Sequence, residues 1–200
     1  MKNEINNILM VGVGGQGIVL ASDILGDVAI ASGKDIKKTD TLGMAQRGGS
    51  VVSHVRIADK VYSPLIREGE VDLLLAFEKL EAIRWGGFLK PDGYALINNF
   101  TIPPQSVKLG INKYPSDEEI KESLKQRTDK FIFIDGSQKA IEMGDIRILN
   151  VFILGCISSL LNFDLDIWKD CIIKRLPKKI QQINLQALDM GREVISNVAF

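Results

Sequence analysis

A run of apolar residues that ends in glycines and passes at once into a helical pattern constrains this chain most. Ile8-Leu9-Met10-Val11 leads into Gly12-Val13-Gly14-Gly15-Gln16-Gly17, and Ile18-Val19-Leu20-Ala21 follows without a break. That is a strand, a tight turn and a helix N-terminus. Glycines reach positive φ without steric cost and let another group approach the backbone closely. The helix start behind them carries unpaired N–H groups and a partial positive charge, which attract anions. The same letters satisfy G-x-G-x-x-G. A turn that only closes a β-α unit has the same letters, so the pattern alone assigns no ligand. A nicotinamide dinucleotide site needs an acidic residue about 20 positions on, at the end of the next strand. Lys37 and Lys38 stand there, and Asp40 falls past the expected strand. NAD is disfavoured; a phosphorylated nucleotide stays open.

A second glycine stretch, Thr41-Leu42-Gly43-Met44-Ala45-Gln46-Arg47-Gly48-Gly49-Ser50, follows closely. Around the two, strands and helices alternate. The first strand is expected at Ile8–Val13 and the first helix from about Gly15 to Ala31, with Leu20, Ile24, Val28 and Ala31 on its buried face and Gly33 as its stop. A short strand near Ile36 comes next, then a strand over Ser50–Ile57. In that strand Val51, Val55 and Ile57 share one face with Ser53, and Val52, His54 and Arg56 share the other. Ala58-Asp59-Lys60 is expected to turn it back into Val61-Tyr62-Ser63 as a hairpin, which makes the sheet mixed. Val71–Ala76 reads as a buried parallel strand, Phe77–Trp85 as a helix, Pro91-Asp92-Gly93 as a turn and Tyr94–Asn98 as a strand. A short strand near Val107–Ile111, a Ser116-capped helix to about Arg127, a strand at Phe131–Ile134 and a short helix over Gln138–Met143 follow. Three helices, near Ile146–Leu161, Leu165–Arg175 and Lys178–Asn197, close the chain. The last carries Ile180, Ile183, Ala187, Gly191, Val194 and Val198 as its stripe. The expected class is α/β: one domain over residues 1–200, a Rossmann-like mixed, mostly parallel sheet with helices on both faces and a C-terminal helical appendage.

Lys+Arg and Asp+Glu both number 25, so the formal net charge is zero. The basic footprint of a nucleic-acid binder is missing. The polar start does not read as a signal peptide, and the longest apolar run, Val151–Leu161, is too short to span a membrane. The expected compartment is cytoplasmic. Two cysteines, Cys156 and Cys171, read as reduced core residues and cannot ligate a four-cysteine cluster. There is no G-x-x-x-x-G-K-S/T, H-E-x-x-H, G-x-S-x-G or Cys-x-x-Cys. His54, the single histidine, has no triad or metal partner near it in sequence and is expected at a surface or interface. Glu78 and Asn98 end strands at the carboxyl edge, where α/β proteins bind ligands. A helix-dipole role for Glu78 and a structural role for Asn98 are equally open, and Asn150 reads as a residue that bonds backbone.

The ordered set of motifs resembles the gamma domain of 2-oxoacid:ferredoxin oxidoreductases. It comprises Gly12–Gly17, then Gly43 through Arg56 (Gly-Met-Ala-Gln-Arg-Gly-Gly-Ser-Val-Val-Ser-His-Val-Arg), Ser63-Pro64-Leu65-Ile66 and Asp72 through Glu78. It continues weakly to Asn150 and Leu154-Gly155, and the second run is most similar to the indolepyruvate-oxidising members. The resemblance implies oxidative decarboxylation of a 2-oxoacid with coenzyme A, giving an acyl-CoA, carbon dioxide and reduced ferredoxin. It implies a hetero-oligomer in which thiamine diphosphate and 4Fe-4S clusters belong to a larger alpha subunit. This chain lacks the cluster cysteines, and Asp92-Gly93 is preceded by proline where a thiamine motif has glycine. Assembly and contact with coenzyme A are what remain for it, with no catalytic or metal-ligating residue of its own. The cofactor-contacting candidates are Gly12, Gly14, Gly15, Gln16, Gly17, Gln46, Arg47, Gly48, Gly49, Glu78 and Asn98; Lys37, Lys38 and Arg47 suit phosphates. Indolepyruvate and aryl pyruvates lead as substrates, and pyruvate, 2-oxoisovalerate and 2-oxoglutarate stay open. Two other readings stand beside this one: a stand-alone Rossmann-type nucleotide-binding oxidoreductase, and a structural or regulatory module without ligand.

Overall fold

The structure is a computed structural model that describes residues 5–43 and 48–196. β1 (Asn7–Val13) runs into the glycine turn and α1 (Ile18–Ala31) leaves it; β2 (Asp35–Leu42) and β3 (Ser50–Ala58) follow. Then come β4 (Val71–Ala76), α2 (Lys79–Trp85), β5 (Leu89–Asn98), α3 (Gln105–Lys108), α4 (Asp117–Lys125), β6 (Phe131–Ile134) and α5 (Gly136–Glu142). The chain continues through α6 (Leu149–Ser158), α7 (Leu165–Arg175) and α8 (Lys178–Ser196). The strand order is β2-β3-β1-β4-β5-β6. β1, β4, β5 and β6 are parallel neighbours, whereas β3 is antiparallel to both β1 and β2.

The sheet is buried on both faces because its strands alternate between two apolar layers. Ile8, Met10, Val55, Leu73, Leu75 and Leu96 face a core shared with α1, α6, α7 and α8. Leu9, Val11, Val52, Leu74, Ala95 and Ile97 face a smaller core with α2 and α4, through Ala82, Ile120 and Leu124. Each fully buried Leu, Ile or Val contributes about 1.5–3 kcal/mol. The α/β sheet with helices on both faces, the two faces of β3 and the Gly33 stop of α1, where φ is 78°, are as the sequence leads one to expect. So is the Ser116 cap, a full capping box with Glu119.

Two expected strands are absent. The sheet is mixed, but not through a hairpin onto Val61-Tyr62-Ser63. Both edges of β3 are already taken, by β1 and by β2, so no ladder is left for a returning strand. The Val61 N–H donates instead to the Asp35 carboxylate at 2.9 Å. That bond, with Lys37 beside it, holds the Asp35 carboxyl down at about 2. Val107–Ile111 is also not a strand: Pro104 opens the single helical turn α3, and Gly110, at φ 71°, ends it. Several boundaries shift. β2 runs to Leu42, so Asp40, expected past the strand, lies within it, and β5 begins at Leu89 rather than Tyr94. α1 begins at Ile18 rather than near Gly15, and α2 begins at Lys79, with Glu78 as its N-cap. The Pro91-Asp92-Gly93 turn lies inside β5 as an irregularity in its pairing with β4.

The C-terminal helices are part of the larger core. α6 is buried along its whole length, and it crosses α8 so closely that neither helix tolerates a side chain at the contact. A Cβ on Gly155 would overlap the Leu188 backbone, and one on Gly191 would overlap the Phe152 carbonyl and the Cys156 amide. Gly191→Ala is therefore expected to force the helices apart and to destabilise by about 1–3 kcal/mol or more, the usual cost of overpacking. Urea unfolding of the two proteins measures this. An unchanged midpoint would show that the crossing has slack.

Candidate functional site

The carboxyl ends of β1, β4 and β5 meet beside the start of β3, and this edge holds most of the candidate residues. The two glycine stretches come together there: the Gly14 N–H donates to the Gly49 carbonyl at 2.8 Å. Gly15 and Gly17 have φ of 105° and 77°, and Gly48 has 79°, values that favour glycine. Gly12 is enclosed, since a Cβ there would come within 2.8 Å of Gln16, Ile18 and Phe77. At Gly17 a Cβ would meet Asn150 Nδ2 at 2.7 Å, but at Gly15 it would meet nothing within 4 Å among the described residues. Gly15 is thus the open side of the turn. A cavity of about 320 Å³ lies between Gly14, Gly15 and Gly17 on one side and Leu42 and Gly43 on the other. Behind it, α1 starts with no side-chain cap and no acid in its first turn. Neither a side-chain cap nor a first-turn acid therefore offsets its positive end.

The polar candidates have structural partners. Gln16 Oε1 accepts the Val13 N–H at 2.8 Å, and its Nε2 donates to the Phe77 carbonyl at 2.8 Å. Asn98 Nδ2 donates to the same carbonyl at 3.0 Å and to Ser137 Oγ at 2.8 Å, while its Oδ1 accepts the Ser137 N–H. Glu78, 1% exposed, uses both oxygens. Oε2 accepts the Leu80 and Glu81 N–H groups, and Oε1 accepts the Ile102 N–H and, at 2.5 Å, the Tyr114 hydroxyl. Burial and the Glu78 carboxylate together push the Tyr114 phenol well above its ordinary value. Asn150 Oδ1 accepts a backbone N–H, that of Val151. Lys38 is paired with Asp23 and Asp40 and Lys37 with Asp35, so neither is an uncommitted phosphate contact. Gln46 and Arg47 lie outside the described residues.

Three residues that sequence reasoning did not single out belong to this edge. Phe77 supplies the shared carbonyl, Tyr114 reaches Glu78 from a distant loop, and Glu81 is a second buried acid. Only Glu81 carried a signal, as an acid three residues after another at a helix start. The cysteines are buried, Cys156 in α6 and Cys171 in α7, and burial pushes both thiols up. Such thiols are poor nucleophiles and ligands at neutral pH. The donor set does not fit a four-cysteine cluster. Among the described residues no group of three or more His, Cys, Asp and Glu is placed to hold a metal ion. Nor is any helix long and apolar enough to cross a membrane.

His54, expected at a surface or interface, is buried within the chain at 7% exposure. Its Nδ1 accepts the Ile66 N–H at 3.3 Å, and its ring meets Phe88 edge-on. Burial lowers its pKa below 6.5. Protonation would remove the Nδ1 acceptor. The unfolded chain therefore takes up a proton that the folded one resists, so stability falls as pH drops below about 6.5, by at most about 1.4 kcal/mol per pH unit. In His54→Gln, which cannot titrate, the loss of melting temperature between pH 7 and pH 5 should be smaller than in the parent. Equal slopes would remove His54 from the acid response.

Comparison with known proteins agrees with the motifs. Residues 7–194 match the family model described as pyruvate ferredoxin/flavodoxin oxidoreductase. The chain is 38% identical over 188 residues to the indolepyruvate oxidoreductase subunit IorB of Pyrococcus horikoshii, covering 92% of this chain and 93% of that one. It is 30% identical over 149 residues to the common gamma subunit of the pyruvate/ketoisovalerate oxidoreductases of Pyrococcus abyssi, covering 74% and 73%. Among solved structures, the 2-oxoglutarate:ferredoxin oxidoreductase of Magnetococcus marinus, which has 2-oxoglutarate, coenzyme A and succinyl-CoA bound, shares the fold. Its TM-score is 0.77 at 20% identity, over 97% of this chain and 31% of that one. The chain belongs to the pyruvate ferredoxin/flavodoxin oxidoreductase family.

Proposed function

We propose that this chain is the subunit without clusters or thiamine of a heteromeric 2-oxoacid:ferredoxin oxidoreductase, with indolepyruvate or a related aryl pyruvate as substrate. The single observation behind the proposal is the 38% identity, spread over nearly the whole of both chains, to an indolepyruvate oxidoreductase subunit. The overall reaction joins the acyl part of the 2-oxoacid to coenzyme A, releases carbon dioxide and passes two electrons to ferredoxin. A larger alpha subunit bears the thiamine diphosphate and the 4Fe-4S clusters, which supply carbanion chemistry and electron transfer. This chain's share is assembly and contact with coenzyme A.

The contact is assigned to the glycine edge. Backbone N–H groups at an uncapped helix start suit a phosphate, and Gly15 leaves room for it. Gly12, Gly14, Gly17, Gly48 and Gly49 shape the approach; Gln16, Glu78 and Asn98 hold its walls. Gln46 and Arg47 join the contact on their sequence alone.

Purification and mixing test the first part. The chain alone should be colourless, should lack thiamine and should not oxidise 2-oxoacids. Activity should appear only with the larger subunit, and with aryl pyruvates above pyruvate. A single purified chain that reduced a dye with indolepyruvate would overturn the proposal. Gly15→Val tests the second part. Its Cβ would lie within 4 Å of no other described residue, so its main folding cost is the backbone strain of a non-glycine at positive φ, about 1–3 kcal/mol. In the assembled enzyme it should raise KM for coenzyme A. A parental KM would leave the turn with only its local role.

A further inference from the structure

A buried acid of the same edge links α2 to the start of β3 beside the glycine stretches. Glu81 lies in α2 and is 2% exposed. Its Oε2 accepts from Ser50 Oγ at 2.5 Å, and its Oε1 accepts from Arg84 Nη1 at 2.6 Å. Ser50 opens β3 and closes the connection from β2, because its carbonyl accepts the Gly43 N–H at 3.0 Å. One residue earlier, the Gly49 carbonyl accepts the Gly14 N–H at 2.8 Å. A hydrogen-bonded path thus runs from Glu81 through Ser50 and Gly49 to the glycine turn.

A carboxylate taken out of water is costly unless it is paired. Arg84 supplies the charge, and Ser50 occupies the other oxygen. Glycines have no side chains with which to pack, so Gly48 and Gly49 depend on their neighbours for position. Among the described residues Ser50 is the nearest neighbour with a side-chain anchor, and Glu81 is what it is anchored to. We propose that Glu81 is a positioning residue of the glycine edge. Through Ser50 it sets where the Gly49 carbonyl meets the Gly14 amide, and so where the turn presents its backbone to coenzyme A. The inference rests on the assignment of coenzyme A to this edge.

The test uses Ser50→Ala, Glu81→Leu and Glu81→Gln in the assembled enzyme, with Gly15→Val as the reference. Ser50→Ala keeps the Glu81–Arg84 pair and so should fold even where Glu81→Leu does not. Ser50→Ala and Glu81→Leu should raise KM for coenzyme A at least about fivefold while kcat for the 2-oxoacid stays within about twofold. Glu81→Gln should fall between them and the parent, because its amide oxygen still accepts the Ser50 hydroxyl. Hydrogen exchange of the Gly14 amide in the full-length chain should quicken about tenfold in Ser50→Ala, with the β4 and β5 amides unchanged. Parental Gly14 exchange together with a parental KM in Ser50→Ala would overturn the inference. If Gly15→Val also leaves KM unchanged, the failure lies with the assignment of coenzyme A. If Gly15→Val raises KM and Ser50→Ala does not, it lies with Glu81.

Discussion

The carbonyl of Phe77 accepts hydrogen bonds from two side chains, Gln16 and Asn98, and the amide of the same residue donates to the Val11 carbonyl. One residue thereby ties together the ends of β1, β4 and β5. Through Ser137, Asn98 carries the tie on to the start of α5. A buried carbonyl has two lone pairs, and one left without any partner costs about 1–3 kcal/mol. Both are met here, so the carboxyl edge is a braced structure rather than three separate strand ends. The glycine turn can be open on one side because its other side is fixed to this brace.

Acids play the corresponding part around α2. Glu78 caps the helix and gathers the loop after β5 through the Ile102 amide and the Tyr114 hydroxyl. Glu81, three residues on, gathers the start of β3. A helix of seven residues is too short to be stable alone. Its place is set by Ala82 in the smaller core and by these two carboxylates. Among the described residues, Gln16, Glu78 and Asn98 are thus committed within the chain, and what lines the cavity is glycine backbone with apolar side chains such as Val19 and Leu42. Backbone donors carry no rotamer freedom, so a contact made with them loses little entropy on binding. That suits the part proposed for this chain, a fixed surface presented to coenzyme A.

Much of this was legible in local sequence. The glycine turn between strand and helix, the buried run of β4, the Ser116 cap and the stripe of α8 from Ile180 to Val194 follow from periodicity and from residue preferences, which act over a few positions; Val198 lies outside the described residues. The resemblance of the ordered motifs led to the family that comparison then bore out. Errors arose where the outcome depended on residues far apart. Val61-Tyr62-Ser63 has the letters of a strand, but both edges of β3 were occupied by β1 and β2. His54 looked like a surface or interface residue because the Phe88 and Ile66 that cover it are distant in sequence.

The sequence by itself determined the α/β class, the glycine turn with its open helix start, and the lack of enough cysteines for a cluster. These depend on local conformation or on simple counting. Only the tertiary structure decided that Gln16, Glu78 and Asn98 are braces, that the two glycine stretches touch, and that α6 and α8 meet backbone to backbone at Gly155 and Gly191. The physical reason is that a polar side chain's role is set by which donors and acceptors surround it. Those partners stand tens of residues away along the chain and become neighbours only when the sheet closes its order.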